Sequence, residues 1–318
     1  MKKSIFLIAA LASTLLSCAQ KKTTAANYKV DQKSVEATLK FLTTDELKGR
    51  QPGTPEMELA AKYLEDIFVK NNVKPYFATY RDTLTNYTKG ITANVIGYLE
   101  GNDPKLKNEF VIISAHYDHV GIAKKAINGD DIYNGADDNA TGCTTVAEFV
   151  NYFSKTKSNK RSILFCFFSA EEAGLLGSYH LAKKLHDQNF NLYTVLNFEM
   201  TGVPLGGDLL GFITGYGRSN MADKLNDYAG KRLIGSNEFE MQYQLFRQSD
   251  NYPFFQEFNI PAHTISTTEM TTFPYYHHVD DEYEAMDTKH MTSFIQTMLP
   301  VSEKMINAPT QEIVLKAK

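Results

Sequence analysis

The chain has no tryptophan, only three cysteines and no excess of positive charge, and each gap removes a class of answer. Without tryptophan, no indole can wall a ligand pocket. Cysteines at 18, 143 and 166 are too few for a disulfide-stapled fold, so an ordinary apolar core must carry the stability. Cys143 opens an expected helix and Cys166 sits in an apolar strand; two buried free thiols, acting as small hydrophobes, are the reading favoured over a bond between them. A formal net charge of -4 without a basic cluster argues against nucleic acid and for a small or peptidic partner. Long apolar runs are also missing: beyond the first 16 residues no stretch approaches the ~20 residues of a membrane span.

The residues that are present begin with a processing signal. Lys2-Lys3, the apolar run Ile5 to Leu16 and the closing Leu15-Leu16-Ser17-Cys18 resemble a bacterial lipoprotein signal, in which Cys18 takes a lipid and becomes the mature N-terminus. A plain secretory signal is the alternative. The expectation is an exported protein, lipid-anchored in the bacterial cell envelope through Cys18. Residues 19–30 read as a polar tether, and 31–318 as a single domain.

Apolar residues recur at helical spacing over 31–42, 55–70, 144–155, 177–186, 221–231 and 289–306. Apolar runs of strand length cover 92–99, 109–116, 162–168 and 192–200. Alternating strands and helices imply an α/β three-layer sandwich, with a mixed, largely parallel central sheet and helices on both faces. Sites in such sheets form beyond the carboxyl ends of the strands. His116, Glu171-Glu172 and Glu199 fall at those ends, with Asp137-Asp138 in an intervening turn. Imidazole and carboxylate without thiolate suit zinc in an open catalytic site. Adjacent carboxylates repel unless a cation lies between them, and a carboxylate near a ligand histidine orients its ring, a role open to Asp118.

SAHYDHVG, NGADDNATG, SAEEAGLLGS, NFEM and YYHHVDDEYE, in that order, resemble the motifs of the co-catalytic zinc aminopeptidase family. That family takes in secreted bacterial aminopeptidases, glutamate carboxypeptidases, glutaminyl cyclases and an inactive receptor ectodomain. The resemblance covers the chain beyond its leader, including LKGRQPGTPEMELAAKYLEDIF. It implies two zinc ions, one on His116, Asp138 and Glu199 and the other on Asp138, Glu172 and His277, with Asp138 bridging; Asp137 is the alternative to Asp138. It further implies that Asp118 orients His116, and that Glu171 serves as general base for a hydroxide shared by the ions. Tyr276 is implied as an oxyanion donor or an aromatic wall, and Asp250 as a substrate-side residue or a turn residue. Glu199 departs from the Asp of many relatives, Asn251 from a frequent His, and His278 from a small polar residue. The implied activity is removal of N-terminal residues from peptides. A cyclase, a carboxypeptidase or a dead binding module are the other readings. The lack of tryptophan weighs against the cyclase, scattered arginines against the carboxypeptidase, and the full ligand set against the binding module.

Overall fold

The computed structural model describes residues 24–317. Its strands are β1 (Lys74–Pro75), β2 (Arg81–Thr83), β3 (Ala93–Leu99), β4 (Phe110–His116), β5 (Gly121–Ile127), β6 (Asp130–Tyr133), β7 (Ser162–Phe168), β8 (Leu192–Phe198), β9 (Gly211–Ile213), β10 (Ile234–Gly235) and β11 (Ala262–Ser266). Nine of them form one sheet in the order β1-β3-β7-β4-β8-β11-β9-β10, with β2 also paired to β3, while β5 and β6 make a separate hairpin. The block β7-β4-β8-β11 is parallel, and β3 and β9 run against it. The four expected strands form within two residues of their anticipated bounds.

A parallel strand covered on both faces must be apolar at every position, and β7 is buried throughout. Its side chains alternate between two cores. Ile163, Phe165 and Phe167 join the larger core. This lies under α1 (Gln32–Leu42), α2 (Pro55–Lys70), α3 (Gly142–Thr156) and the long last helix (Thr288–Asn307). Leu164, Cys166 and Phe168 face the smaller core, against α4 (Leu176–Asp187) and a later short helix (Asn251–Phe258). Between these lie α5 (Met221–Ala229) and α6 (Glu238–Tyr243), so the helices at 251–258 and 288–307 are α7 and α8. Local chemistry fixes the ends of α2: Thr54 accepts from the Met57 N–H, Pro55 takes the first position, Glu56 and Glu58 sit in the first turn and Lys70 in the last.

The structure departs from the sequence expectation in three places. Within residues 24–30, read as tether, two residues are packed: Tyr28 is buried edge-on against Tyr152, and Val30 is buried with its N–H donating to Gln296. The signal and Cys18 lie outside the described residues. The second departure is β11, which was not anticipated because its sequence AHTIS is more than half polar. It is nevertheless wholly buried, because His263 bonds Ser219 and the Thr214 carbonyl, and Thr264 bonds Asn251 and Ser249. Third, the short β9, β10 and α6 carry too little periodicity to announce themselves. Cys143 and Cys166 are buried free thiols, as expected. Among the described residues no helix is long and apolar enough to cross a membrane.

Candidate active site

Three neighbouring parallel strands deliver the candidate residues to one end of the sheet. β4 ends at His116, β7 leads through Ser169-Ala170 to Glu171-Glu172, and β8 leads into Glu199. Asp138 comes from an irregular turn, Ala136–Thr141, that feeds directly into α3. His277 comes from a late loop and adopts a positive φ of 51°.

Asp138 lies at the centre. Its Oδ1 is 3.2 Å from His116 Nε2 and its Oδ2 is 3.2 Å from His277 Nε2. His277 Nε2 is also 3.0 Å from Glu172. Two groups of donor atoms gather around that shared carboxylate, His116 with Asp138 and Glu199, and His119 with Asp138, Glu172 and His277. Within each group all donor atoms lie within 4.8 Å of one another. His116 Nε2 is buried and makes no aligned hydrogen bond despite its short distance to Asp138, which suits a cation between the two better than a proton.

The electrostatics point the same way. Burial resists charging His116, yet Glu171, Asp138 and Glu199 outweigh it and hold the imidazolium well above its usual range. Burial likewise opposes His277, which Asp138 and Glu172 raise to about 10. Burial, and then Asp138 and Asp250, push Glu199 up to about 8 against the pull of His116. Glu171 rises well above the carboxylate range through burial and then through Glu199, Asp250 and Glu172, while His116 opposes. So many carboxylates sharing so few positive charges take up protons where a metal would otherwise neutralise them. The residues therefore fit one or more divalent ions.

Asp118 has a role different from the expected one. His116 Nδ1 lies 3.2 Å from the Asp118 backbone carbonyl and 3.8 Å from its carboxylate, so the carbonyl orients the ring. The carboxylate instead accepts the backbone N–H groups of Glu171 (3.1 Å) and Glu172 (3.3 Å), clamping the turn that carries both. Asp137 faces away from both donor groups; its Oδ1 takes the Gly202 N–H and the Thr141 hydroxyl. Of the adjacent aspartates it is therefore Asp138 that stands among the candidate donor atoms. His278 also points elsewhere, pairing with Asp280.

Asp250 is wholly buried at the start of α7, where its charge acts on Glu171 and Glu199, although it is not among the residues that line the cavity beside the site. Ser249 beside it does line the cavity next to the site, and its hydroxyl donates to Glu199. That cavity, about 290 Å³, is walled by Met200, Phe212, Phe239, Tyr243, Leu245 and Met270, with Glu199 and Tyr276 also lining it. Tyr276 lines it, whereas the nearby Phe254 and Phe273 belong to the core. Tyr276 stacks on His277 with 4.0 Å between ring centroids. Desolvation and then Asp138, Glu172, Glu171 and Glu199 keep its hydroxyl protonated far above the usual range, so it can donate a hydrogen bond but not accept a proton.

Three functional residues escaped the sequence reading. His119 is fully buried in the second donor group, and its signal was a second imidazole three residues after His116 in HYDH. Asp281, in the late acidic stretch, accepts the backbone N–H groups of Asp137 (2.8 Å) and Asp138 (3.1 Å). Arg50, buried, donates to the carbonyls of Leu42, Tyr117, Asn134 and Gly135, tying together the loops that carry His116 and Asp138. Both Asp281 and Arg50 lie in segments quoted for the resemblance, but their roles could not be read there, since both act on backbone brought close by the fold.

Comparison with known proteins places this geometry in context. The model of peptidase family M28 matches residues 94–302. A leucine aminopeptidase 1 of Paracoccidioides brasiliensis is 29% identical over 131 residues, 38% of this chain and 33% of that protein. The fold is similar to that of the LapA aminopeptidase of Legionella pneumophila, with a TM-score of 0.68 and 21% identity, covering 98% of this chain and 78% of the other. It is also similar to a glutaminyl cyclase of Bacteroides thetaiotaomicron, with a TM-score of 0.65 and 19% identity, covering 86% of this chain and 98% of the other. At such identities these structures speak for the fold alone. Against the curated leucine aminopeptidases, the matched region spans about a quarter to about half of their length.

Proposed function

This chain belongs to peptidase family M28, and we propose that it is an aminopeptidase that uses two zinc ions to remove residues from the amino ends of peptides. One observation carries the reading: a single carboxylate, Asp138, turns each oxygen toward a different imidazole, beside Glu171 and an apolar cavity. His116, Asp138 and Glu199 would hold one ion, and Asp138, Glu172 and His277 the other. Zinc supplies Lewis acidity that polarises the scissile carbonyl and acidifies water.

The protein's own groups do the rest. The Asp118 clamp fixes the Glu171 turn, so the Glu171 carboxyl is held at the edge of the donor cluster. Burial and the neighbouring carboxylates raise its affinity for a proton, so it can take one from the attacking water and pass it to the leaving amine. The Tyr276 hydroxyl, locked in its protonated form, is the donor for the developing oxyanion. The cavity takes the side chain of the N-terminal residue, and its apolar wall favours neutral groups. No arginine or lysine lines it among the described residues, which weighs against recognition of a substrate carboxylate. Peptides are thus the substrate class, and nucleic acid is not.

The test is mass spectrometry of an unblocked peptide beginning Gln-Leu, incubated with zinc-loaded protein lacking residues 1–18. Stepwise loss of whole residues from the front, stopped by a chelator, is the expected result. Loss of ammonia alone would make it a glutaminyl cyclase and overturn the reading. We propose in addition that the protein is exported and held to the bacterial envelope by a lipid on Cys18, on the support of its leader sequence. Cys18→Ser should then move the protein from the detergent phase to the aqueous phase, and an unchanged partition would refute the anchor.

A further inference from the structure

The two donor groups are unequal. The first contains a single imidazole, His116, with Asp138 and Glu199; the second contains two, His119 and His277, with Asp138 and Glu172. We propose that His119 is a direct ligand of the second metal ion, giving that ion four protein ligands while the first has three. The proposal rests on the two-metal reading above and adds a residue and a division of labour to it.

The separations carry the argument. Four atoms at ~2.1 Å from one zinc ion in a tetrahedron stand ~3.4 Å apart. His119 Nδ1 lies 3.0 Å from Glu172 Oε1 and 3.8 Å from Asp138 Oδ2. His277 Nε2 lies 3.0 Å from Glu172 and 3.2 Å from Asp138 Oδ2. These four distances bracket the tetrahedral edge, and all four donor atoms lie within 4.8 Å of one another. The imidazoles approach from different directions, with their rings at 76° and centroids 5.3 Å apart.

The backbone also makes room for the ring. A Cβ on residue 135 would lie 2.5 Å from His119 Cγ and 2.6 Å from its Cδ2, and Gly135 has a φ of +56°. Only glycine satisfies both demands, so the turn that presents Asp138 is shaped around the His119 ring. A simpler role exists, in which His119 only donates an Nδ1–H to Glu172 and orients it. That role needs one short contact, whereas His119 has a position among four donor atoms.

The consequence is functional asymmetry. A zinc site with four protein ligands is closed, and one with three keeps a position for another atom. The His119 group would therefore fill first and hold its ion more tightly. The His116 group would keep the opening for substrate, next to Glu199 and the cavity.

X-ray absorption on the zinc-loaded, unaltered protein counts the imidazoles directly. Three shared over two ions is the expected result, and two would overturn the assignment. Zinc titration gives a second readout. His119→Gln keeps an N–H for Glu172 but is a poor ligand. It should weaken the tighter ion more than about 100-fold, beyond the 10–100-fold loss typical of an outer hydrogen-bonding partner. A smaller loss in His119→Gln would reduce His119 to that outer role. A wild-type protein that binds no zinc would sink the two-metal reading itself, which separates that failure from the failure of His119.

Discussion

On one side of Glu199 lies a cluster of carboxylates and imidazoles anchored to the ends of long parallel strands. On the other side lies a cavity whose walls come from loops and short elements, among them the six-residue α6 and the three-residue β9. The cluster is fixed through the backbone: Asp118 and Asp281 each collect two N–H groups of the turns that carry ligands, and Arg50 collects four carbonyls. The cavity wall is fixed by side-chain packing, for example Phe239 against Tyr243 with ring centroids 4.3 Å apart. Met241 and Tyr243 on α6 remain exposed. Backbone-anchored carboxylates tolerate little change, while a wall of packed side chains can be altered one residue at a time. The chemistry and the specificity of this protein are therefore separable.

The sharpest way to separate them is Glu171→Gln. With zinc content and melting temperature unchanged, kcat should fall by about 100- to 10,000-fold, the range removed with a positioned general base. Unchanged turnover would take the proton-transfer role from Glu171. The cavity side has its own weak point, in acid. His263 donates its Nδ1–H to the Thr214 carbonyl and, as the neutral ring, accepts the Ser219 hydroxyl at Nε2. Burial, helped by the charge of Arg218, lowers its pKa from 6.5 to about 4. Between those values the unfolded chain binds the extra proton and the folded one does not. Stability from this group is thus complete above about pH 6.5 and falls by about 3 kcal/mol as the pH drops to about 4. Urea unfolding of metal-free protein should show that slope, and His263→Gln should flatten it; equal slopes in both proteins would clear His263.

Smaller changes should stay on one side of Glu199. Phe239→Ala removes part of the apolar wall and should cost about 1–3 kcal/mol in kcat/KM for a leucine- or phenylalanine-initiated peptide, with an alanine-initiated one barely affected. Equal losses on all three would mean that Phe239 supports the centre rather than the cavity. Ser249→Ala removes a hydroxyl donor to Glu199 and should cost about 1 kcal/mol of zinc affinity in the His116 group, leaving kcat at saturating zinc near normal. A loss confined to kcat would move Ser249 to the chemistry.

How much of this could be read from the chain depends on which interactions are local. The buried strands β4, β7 and β8 announced themselves because both faces of each are covered, which demands apolar residues without interruption. Their carboxyl ends then placed His116, Glu171-Glu172 and Glu199 with little ambiguity, and the motif resemblance added Asp138 and His277. β11 stayed hidden because its polar residues are paid for by partners far away in sequence, such as Ser219 for His263. Asp250 could not be placed from the chain for a similar reason: only the packing of α7 sets its buried carboxylate near Glu171 and Glu199.

The sequence by itself determined the layered α/β architecture, the ligand types and their order, because periodicity and residue chemistry are properties of short stretches. Only the tertiary structure decided which adjacent aspartate faces the imidazoles, that the Asp118 carboxylate clamps the Glu171 turn while its carbonyl meets the His116 ring, and that His119 enters the second donor group. It also decided the cavity, whose walls are drawn from segments between residues 199 and 276. Direction and distance between side chains depend on how remote segments pack, and no local pattern encodes them.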